Sequence, residues 1–178
     1  MRKPYSGELK KQFSEMVLGL GLPFEKFKGK SEYLFPSVYP HVYRVDEKLW
    51  LFILLYINPK GYQSFTVQFG WSLFGRFPEV TEGQFITDQA VNKERFKEPE
   101  FMQRISIFCG PDTWWFLEGT QEDALHGHMD FQRQDIASEE AKKAVSKALS
   151  EVKKALDDKL IPYLKEFLEW SKQEQSKV

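Results

Sequence analysis

The segment with the clearest capacity for chemistry is His126-Gly127-His128-Met129-Asp130. In an extended chain, residues two apart project to the same side, so His126, His128 and Asp130 can converge on one metal ion. No HxxxH spacing or cysteine pair accompanies them, and the third histidine, His41, is remote in sequence. A polar exposed loop accounts for the same residues. They are kept as candidate metal ligands, and no cofactor is expected.

Cys109, next to Gly110 and Pro111, is the only thiol. With a histidine beside it, it could act as a nucleophile. Following Ile105, Ile107 and Phe108, it also reads as a small core hydrophobe. One cysteine excludes an intramolecular disulfide and fits a reducing compartment, so a cytoplasmic location is expected. Phosphate-cradling motifs of the GxxxxGK[ST] and GxGxxG types are absent, as is a GxSxG elbow.

A different chemistry, recognition of a charged partner, is suggested around Asp112. Between Arg104 and Arg133 there are five acids (Asp112, Glu118, Glu122, Asp123 and Asp130) and no lysine or arginine. From Arg2 to Lys60 the balance reverses, with ten basic residues against six acidic ones. An acidic surface steers and selects a basic partner more than it adds raw affinity. Trp114-Trp115 lies in the same region. Adjacent strand residues face opposite ways, so one indole belongs to the core and the other faces outward or lies under a helix. An outward Trp is a candidate binding anchor. Asp112, Trp114, Glu118, Glu122 and Asp123 are therefore the candidate partner-binding residues. The net charge of −1 supplies no global field toward nucleic acid or an anionic membrane, and neither is an expected partner.

These groups need a scaffold, and 178 residues at 42% hydrophobic and 16% aromatic content suit one domain. Leu9, Phe13, Met16, Val17 and Leu20 predict a helix from about Gly7 to Leu20, capped by Ser6. Met1 to Lys11 lacks the apolar run of a secretory signal. After a basic, turn-rich link from Glu25 to Lys30, Tyr33–Phe35 and His41–Val45 read as short strands. Asp46-Glu47 reads as a tight turn. Lys48–Ile57 is apolar on both faces, as a central strand covered on both sides would be. Asn58-Pro59-Lys60-Gly61 reads as a hairpin turn. Tyr62–Trp71 then alternates, with Phe65, Val67, Phe69 and Trp71 inward and Ser64, Thr66, Gln68 and Gly70 outward. That polar face is either solvent surface or the floor of a groove.

Leu73–Glu100 is expected to be a long connection with a helical turn near Asp88 to Phe96. Strands are expected at Gln103–Phe108 and Thr113–Leu117, and Gly119–Phe131 is expected to be irregular with one further extended piece. Ala141, Val145, Ala148, Val152, Leu156 and Leu160 keep helical spacing. Pro162 clashes with the carbonyl of Asp158, which predicts a kink or restart. Tyr163, Leu164, Phe167, Leu168 and Trp170 continue the apolar stripe beyond it. The fold class is α+β: a single domain with an antiparallel sheet of five to six strands, an N-terminal helix and a long C-terminal helix.

The ordered features resemble a family. They are a first helix ending in Gly-Leu-Gly-Leu-Pro, then Lys30-Ser31-Glu32-Tyr33-Leu34-Phe35, the strand pair Leu49–Ile57 and Tyr62–Trp71, and Arg104 ahead of Gly110-Pro111-Asp112-Thr113-Trp114-Trp115. The chain closes on Leu160-Ile161-Pro162-Tyr163-Leu164-Lys165-Glu166-Phe167. This order resembles an uncharacterised bacterial domain-of-unknown-function family of immunity-like α+β proteins. The resemblance implies a non-enzymatic module, such as an immunity protein that neutralises a toxin by occlusion, and it transfers no catalytic residue; the acidic run from Asp112 to Asp130 suits a basic toxin. Two alternatives stay open. One is a small metal- or thiol-dependent enzyme using His126, His128, Asp130 or Cys109. The other is a small-ligand binding module on the Ser64-Thr66-Gln68 face.

Overall fold

The computed structural model describes residues 1–60, 62–79, 93–109, 114–119 and 136–176. Helix α1 (Lys3–Leu18) is followed by strands β1 (Glu25–Lys26), β2 (Val38–Arg44), β3 (Trp50–Ile57) and β4 (Ser64–Ser72). A 3-10 turn at Lys93–Lys97 leads into β5 (Glu100–Arg104), a second 3-10 turn (Ile105–Phe108) and β6 (Trp115–Phe116). Helix α2 (Ser138–Ala155) runs through a π turn (Leu156–Leu160) into α3 (Ile161–Gln175). The α+β architecture is the one read from the sequence: an N-terminal helix, six antiparallel strands and a long C-terminal helical run.

Helix α1 begins earlier than its spacing suggested, and Ser6 is not its cap. Pro4 sits in the first turn, where a missing amide costs nothing and a fixed φ favours the helix. The Ser6 amide donates inside the helix to the Arg2 carbonyl.

The sheet order is β1-β2-β3-β4-β5, with β6 also paired to β4. Both β5 and β6 occupy the same edge of β4: β5 opposite Gln68–Ser72, β6 opposite Ser64–Phe65. The expected strand Gln103–Phe108 thus starts and ends earlier. After Arg104 the chain turns through Ile105–Phe108, closed by the Cys109 amide on the Ser106 carbonyl. That turn lets Ile105 be buried and puts the Phe108 ring 5.5 Å from Phe69. Tyr33–Phe35 is not a strand. The Leu34 amide bonds to the Ser31 carbonyl and the Val38 amide to the Phe35 carbonyl, so both turns close locally around Pro36.

Strands β3 and β4 pair from Trp50↔Ser72 to Ile57↔Phe65. This register puts Leu51, Ile53, Leu55 and Ile57 on one face with Trp71, Phe69, Val67 and Phe65. Helices α1, α2 and α3 cover that face as one continuous core. The opposite face carries a smaller cluster of Val42, Phe52, Leu54, Phe77 and Met102, with Phe27, Leu34 and Trp50 packed against it. Strand β3 is therefore covered on both sides, as its composition requires. Gly70 is a contact position: a Cβ there would come 2.1 Å from the Phe101 carbonyl oxygen.

The predicted interruption at Pro162 is a π turn. The Ile161 amide reaches back to the Leu156 carbonyl, an i→i−5 bond, just before the residue that has no amide. The helix resumes with Leu164 and Phe167 fully buried.

Candidate functional site

On the sheet face turned away from the helices, three half-buried side chains meet: Tyr56 of β3, Arg104 at the end of β5, and Trp114 just before β6. The Tyr56 and Trp114 rings are 5.6 Å apart, and the Arg104 guanidinium carbon lies 5.2 Å from the centre of the Trp114 ring. Register brings them together. Tyr56 pairs with Thr66, and Gln68 pairs with both Leu54 and Arg104. Arginine over an indole face gains the attraction between a cation and the ring quadrupole, and it holds the indole in one orientation.

Trp115 points the other way, buried in the helix-side core and stacked on Phe65 at 5.9 Å. The two indoles thus occupy opposite faces, as strand alternation requires, and Trp114 is not covered by the C-terminal helix. Ser64, Thr66 and Gln68 are not a wet surface. Ser64 and Thr66 are completely buried and Gln68 is 9% exposed. The Asn58 side-chain amide donates to Ser64 Oγ at 3.1 Å.

Glu118 lies two residues beyond β6, and its carboxylate is engaged within the molecule. Oε1 accepts from Arg2 Nη1 at 2.8 Å and from the Tyr5 hydroxyl at 2.9 Å. Gln63 completes the tie: its Oε1 accepts from the Arg2 amide at 2.8 Å, and its carbonyl accepts from the Leu117 amide at 2.7 Å. Burial and the bond to Glu118 together hold the Tyr5 phenol well above its ordinary pKa, so it remains a donor at any physiological pH. This network staples the start of α1 to the end of β6. Glu118→Ala is expected to cost about 1–3 kcal/mol, because it leaves a half-buried guanidinium and a buried phenol short of their acceptor. Urea unfolding at neutral pH measures this, and a double-mutant cycle with Arg2→Ala should show coupling between the two losses.

Cys109 is exposed rather than part of the core. It follows a 3-10 turn that already commits Ile105 inward, and its thiol points back to the Ile105 carbonyl at 3.6 Å. Desolvation raises the thiol's pKa, the opposite of what an activated nucleophile needs. His41 is buried 4% exposed in β2, with Nε2 3.1 Å from Ser14 Oγ of α1 and its ring edge-on to Phe13. Burial, with Lys26 adding to it, lowers its pKa to about 4, so it is neutral. Among the described residues no group of three His, Cys, Asp or Glu side chains can hold a metal ion. Asp112, Glu122, Asp123, His126, His128 and Asp130 lie outside the described residues.

Of the candidate partner-binding residues, the structure therefore describes Trp114 and Glu118. One is half-exposed beside an arginine and a tyrosine; the other is tied to Arg2 and Tyr5. Sequence reasoning missed Tyr56 and Arg104 as companions of Trp114. The available signal was strand pairing: once β3, β4 and β5 are aligned, Tyr56 and Arg104 fall on Trp114's face. Comparison of the chain with protein-family models, with curated proteins and with solved structures finds no match.

Proposed function

We propose that this protein is a non-enzymatic binding module that docks a basic protein partner, in the manner of an immunity protein that occludes a bacterial toxin, in a reducing compartment such as the cytoplasm. The observation that supports this reading best is the Trp114–Tyr56–Arg104 cluster. Trp, Tyr and Arg are the residue types most enriched at binding hot spots. Here they lie side by side, half-buried, on the sheet face that the helices leave uncovered. The acids Asp112, Glu122 and Asp123 stand close to Trp114 in sequence and supply the sign of charge that suits a basic partner. The resemblance to immunity-like proteins supports a binding protein whose partner is a toxin.

The test uses the product of the reading frame beside this one. The purified protein should bind it and relieve its toxicity on co-expression. Trp114→Ala should weaken binding about 30-fold, about 2 kcal/mol, with the fold intact by circular dichroism. Glu122→Lys with Asp123→Lys should slow association at low salt and matter less at high salt. Failure of the neighbour's product to bind, or binding indifferent to Trp114→Ala, overturns the reading.

A small-ligand site is a second reading. Its support is the burial of Thr66 and Gln68 next to two aromatic rings, since ligand sites are mostly apolar with a few fixed polar groups. The thiol-enzyme alternative loses support from the raised pKa of Cys109.

A further inference from the structure

The connection between β1 and β2 is a long hairpin loop built around inward anchors. The Phe27 amide bonds to the Pro40 carbonyl at 3.0 Å, which extends the β1–β2 pairing by one residue. The Phe27 ring packs on Phe52, Trp50 and Phe77 at 5.7, 6.4 and 5.9 Å. Gly29 lies against the same ring, so close that a Cβ would come within 2.3 Å of it. Leu34 packs into the same small cluster. With Phe27 and Leu34 turned inward, much of the loop between them is presented outward. Lys26, Lys28 and Lys30 are exposed, as are Tyr33 (40%) and Phe35 (64%). Among the described residues, Phe35 is the most exposed of the large apolar side chains.

Charge at this edge of the sheet has one dominant sign. Lys26 pairs in register with His41, on the helix side of the sheet. Lys10 of α1 lies over the Tyr39 ring of β2 at 4.2 Å. Within β1, the loop and β2 the acids are Glu25, held by Arg44, and Glu32.

We infer that the β1–β2 loop docks on an anionic lipid surface, with the lysines at the headgroups and Phe35 and Tyr33 entering the interface. Two features favour lipid over other polyanions. The aromatic rings project from a turn around Pro36 rather than lying on a sheet face, so they form a tip and not the platform on which successive bases stack. An anionic bilayer also offers, on one surface, counter-charge for the lysines and an apolar phase for an otherwise uncovered Phe. No described helix is long and apolar enough to cross a membrane, and the contact of this loop is a peripheral one. It is also local, arising from this loop and not from the balanced charge of the whole chain. Each lysine near such a surface contributes about fivefold in affinity, so binding is weak and salt-sensitive.

Co-sedimentation of the full chain with vesicles tests the inference. Vesicles of phosphatidylcholine with about 30% phosphatidylserine should retain the protein at low salt, and pure phosphatidylcholine vesicles should not. Lys28→Glu with Lys30→Glu should reduce binding at least about tenfold. Phe35→Ser should reduce it severalfold without changing its salt dependence. These positions are exposed, and circular dichroism verifies that the variants fold. The inference is overturned if phosphatidylserine vesicles fail to retain the protein, or if retention ignores both variants. Tighter, Lys28- and Lys30-dependent binding to a fluorescent oligothymidine would overturn it equally, by assigning the loop to nucleic acid.

Discussion

Trp71→Ala should destabilise the protein by about 3–5 kcal/mol, a large fraction of the stability of a domain this size. Trp71 is fully buried near the C-terminal end of β4. Its ring stacks on Phe101 of β5 at 4.4 Å and on Phe167 of α3 at 4.3 Å, with Phe96 of the 3-10 turn at 6.3 Å. Its Nε1–H donates to the Glu98 carbonyl at 2.9 Å. One side chain thus joins the sheet, its edge strand and the C-terminal helix. Truncating it leaves a cavity among aromatic rings that cannot collapse independently. Trp71→Phe keeps one ring and loses the hydrogen bond, so it should cost markedly less. Chemical denaturation of the two variants measures the difference. Equal losses would mean that the hydrogen bond, and not the stacking, carries the effect.

Acidification should destabilise the protein through His41. Its pKa is about 4 in the folded chain against the ordinary 6.5. Above pH 6.5 the imidazole is neutral in both folded and unfolded states, and the native fold has its full stability. As pH falls below 6.5 the unfolded chain takes up a proton that the folded chain refuses, so stability drops, and the loss levels off once pH passes below 4. At pH 5 this amounts to about 2 kcal/mol. Protonation would place a cation against Phe13 and Ser14 under α1, next to the register position of Lys26. Urea midpoints at pH 7.5 and pH 5 measure the loss, and His41→Gln should remove most of the difference between them. An unchanged difference in that variant would show that other groups carry the pH dependence.

Both predictions concern groups whose importance comes from long-range packing, and the legible parts of the fold have a different origin. The β3–β4 hairpin could be read because the continuous apolar run of β3, the alternation of β4 and the turn at Asn58-Pro59 are local signals. The C-terminal helix could be read because its apolar stripe persists on both sides of Pro162. Tyr33–Phe35 was misread because aromatic composition resembles a strand, whereas the bonds from Leu34 to Ser31 and from Val38 to Phe35 make turns. Gln103–Phe108 was misread because Ile105 and Ile107 alternate as a strand would, yet the backbone tightens into a 3-10 turn at Ile105. In both places short-range pattern competed with the packing of one side chain, and the packing prevailed.

The candidate site divides in the same way. Alternation alone puts Trp114 and Trp115 on opposite faces. The arginine and tyrosine that flank Trp114 come from two other strands and become its neighbours only through register. The ion pair between Arg2 and Glu118 joins residues 116 apart in sequence.

The sequence by itself determined the α+β class, the central strand, the polar character of alternate β4 positions and the interruption at Pro162. Each of these follows from periodicity or from the covalent geometry of single residues. The tertiary structure alone decided that the polar stripe of β4 is buried, that Glu118 is tied to Arg2 and Tyr5, that His41 is held neutral beneath α1, and that Trp114 stands beside Arg104 and Tyr56. Each of those depends on which distant segment covers or meets a residue, and no local pattern encodes that.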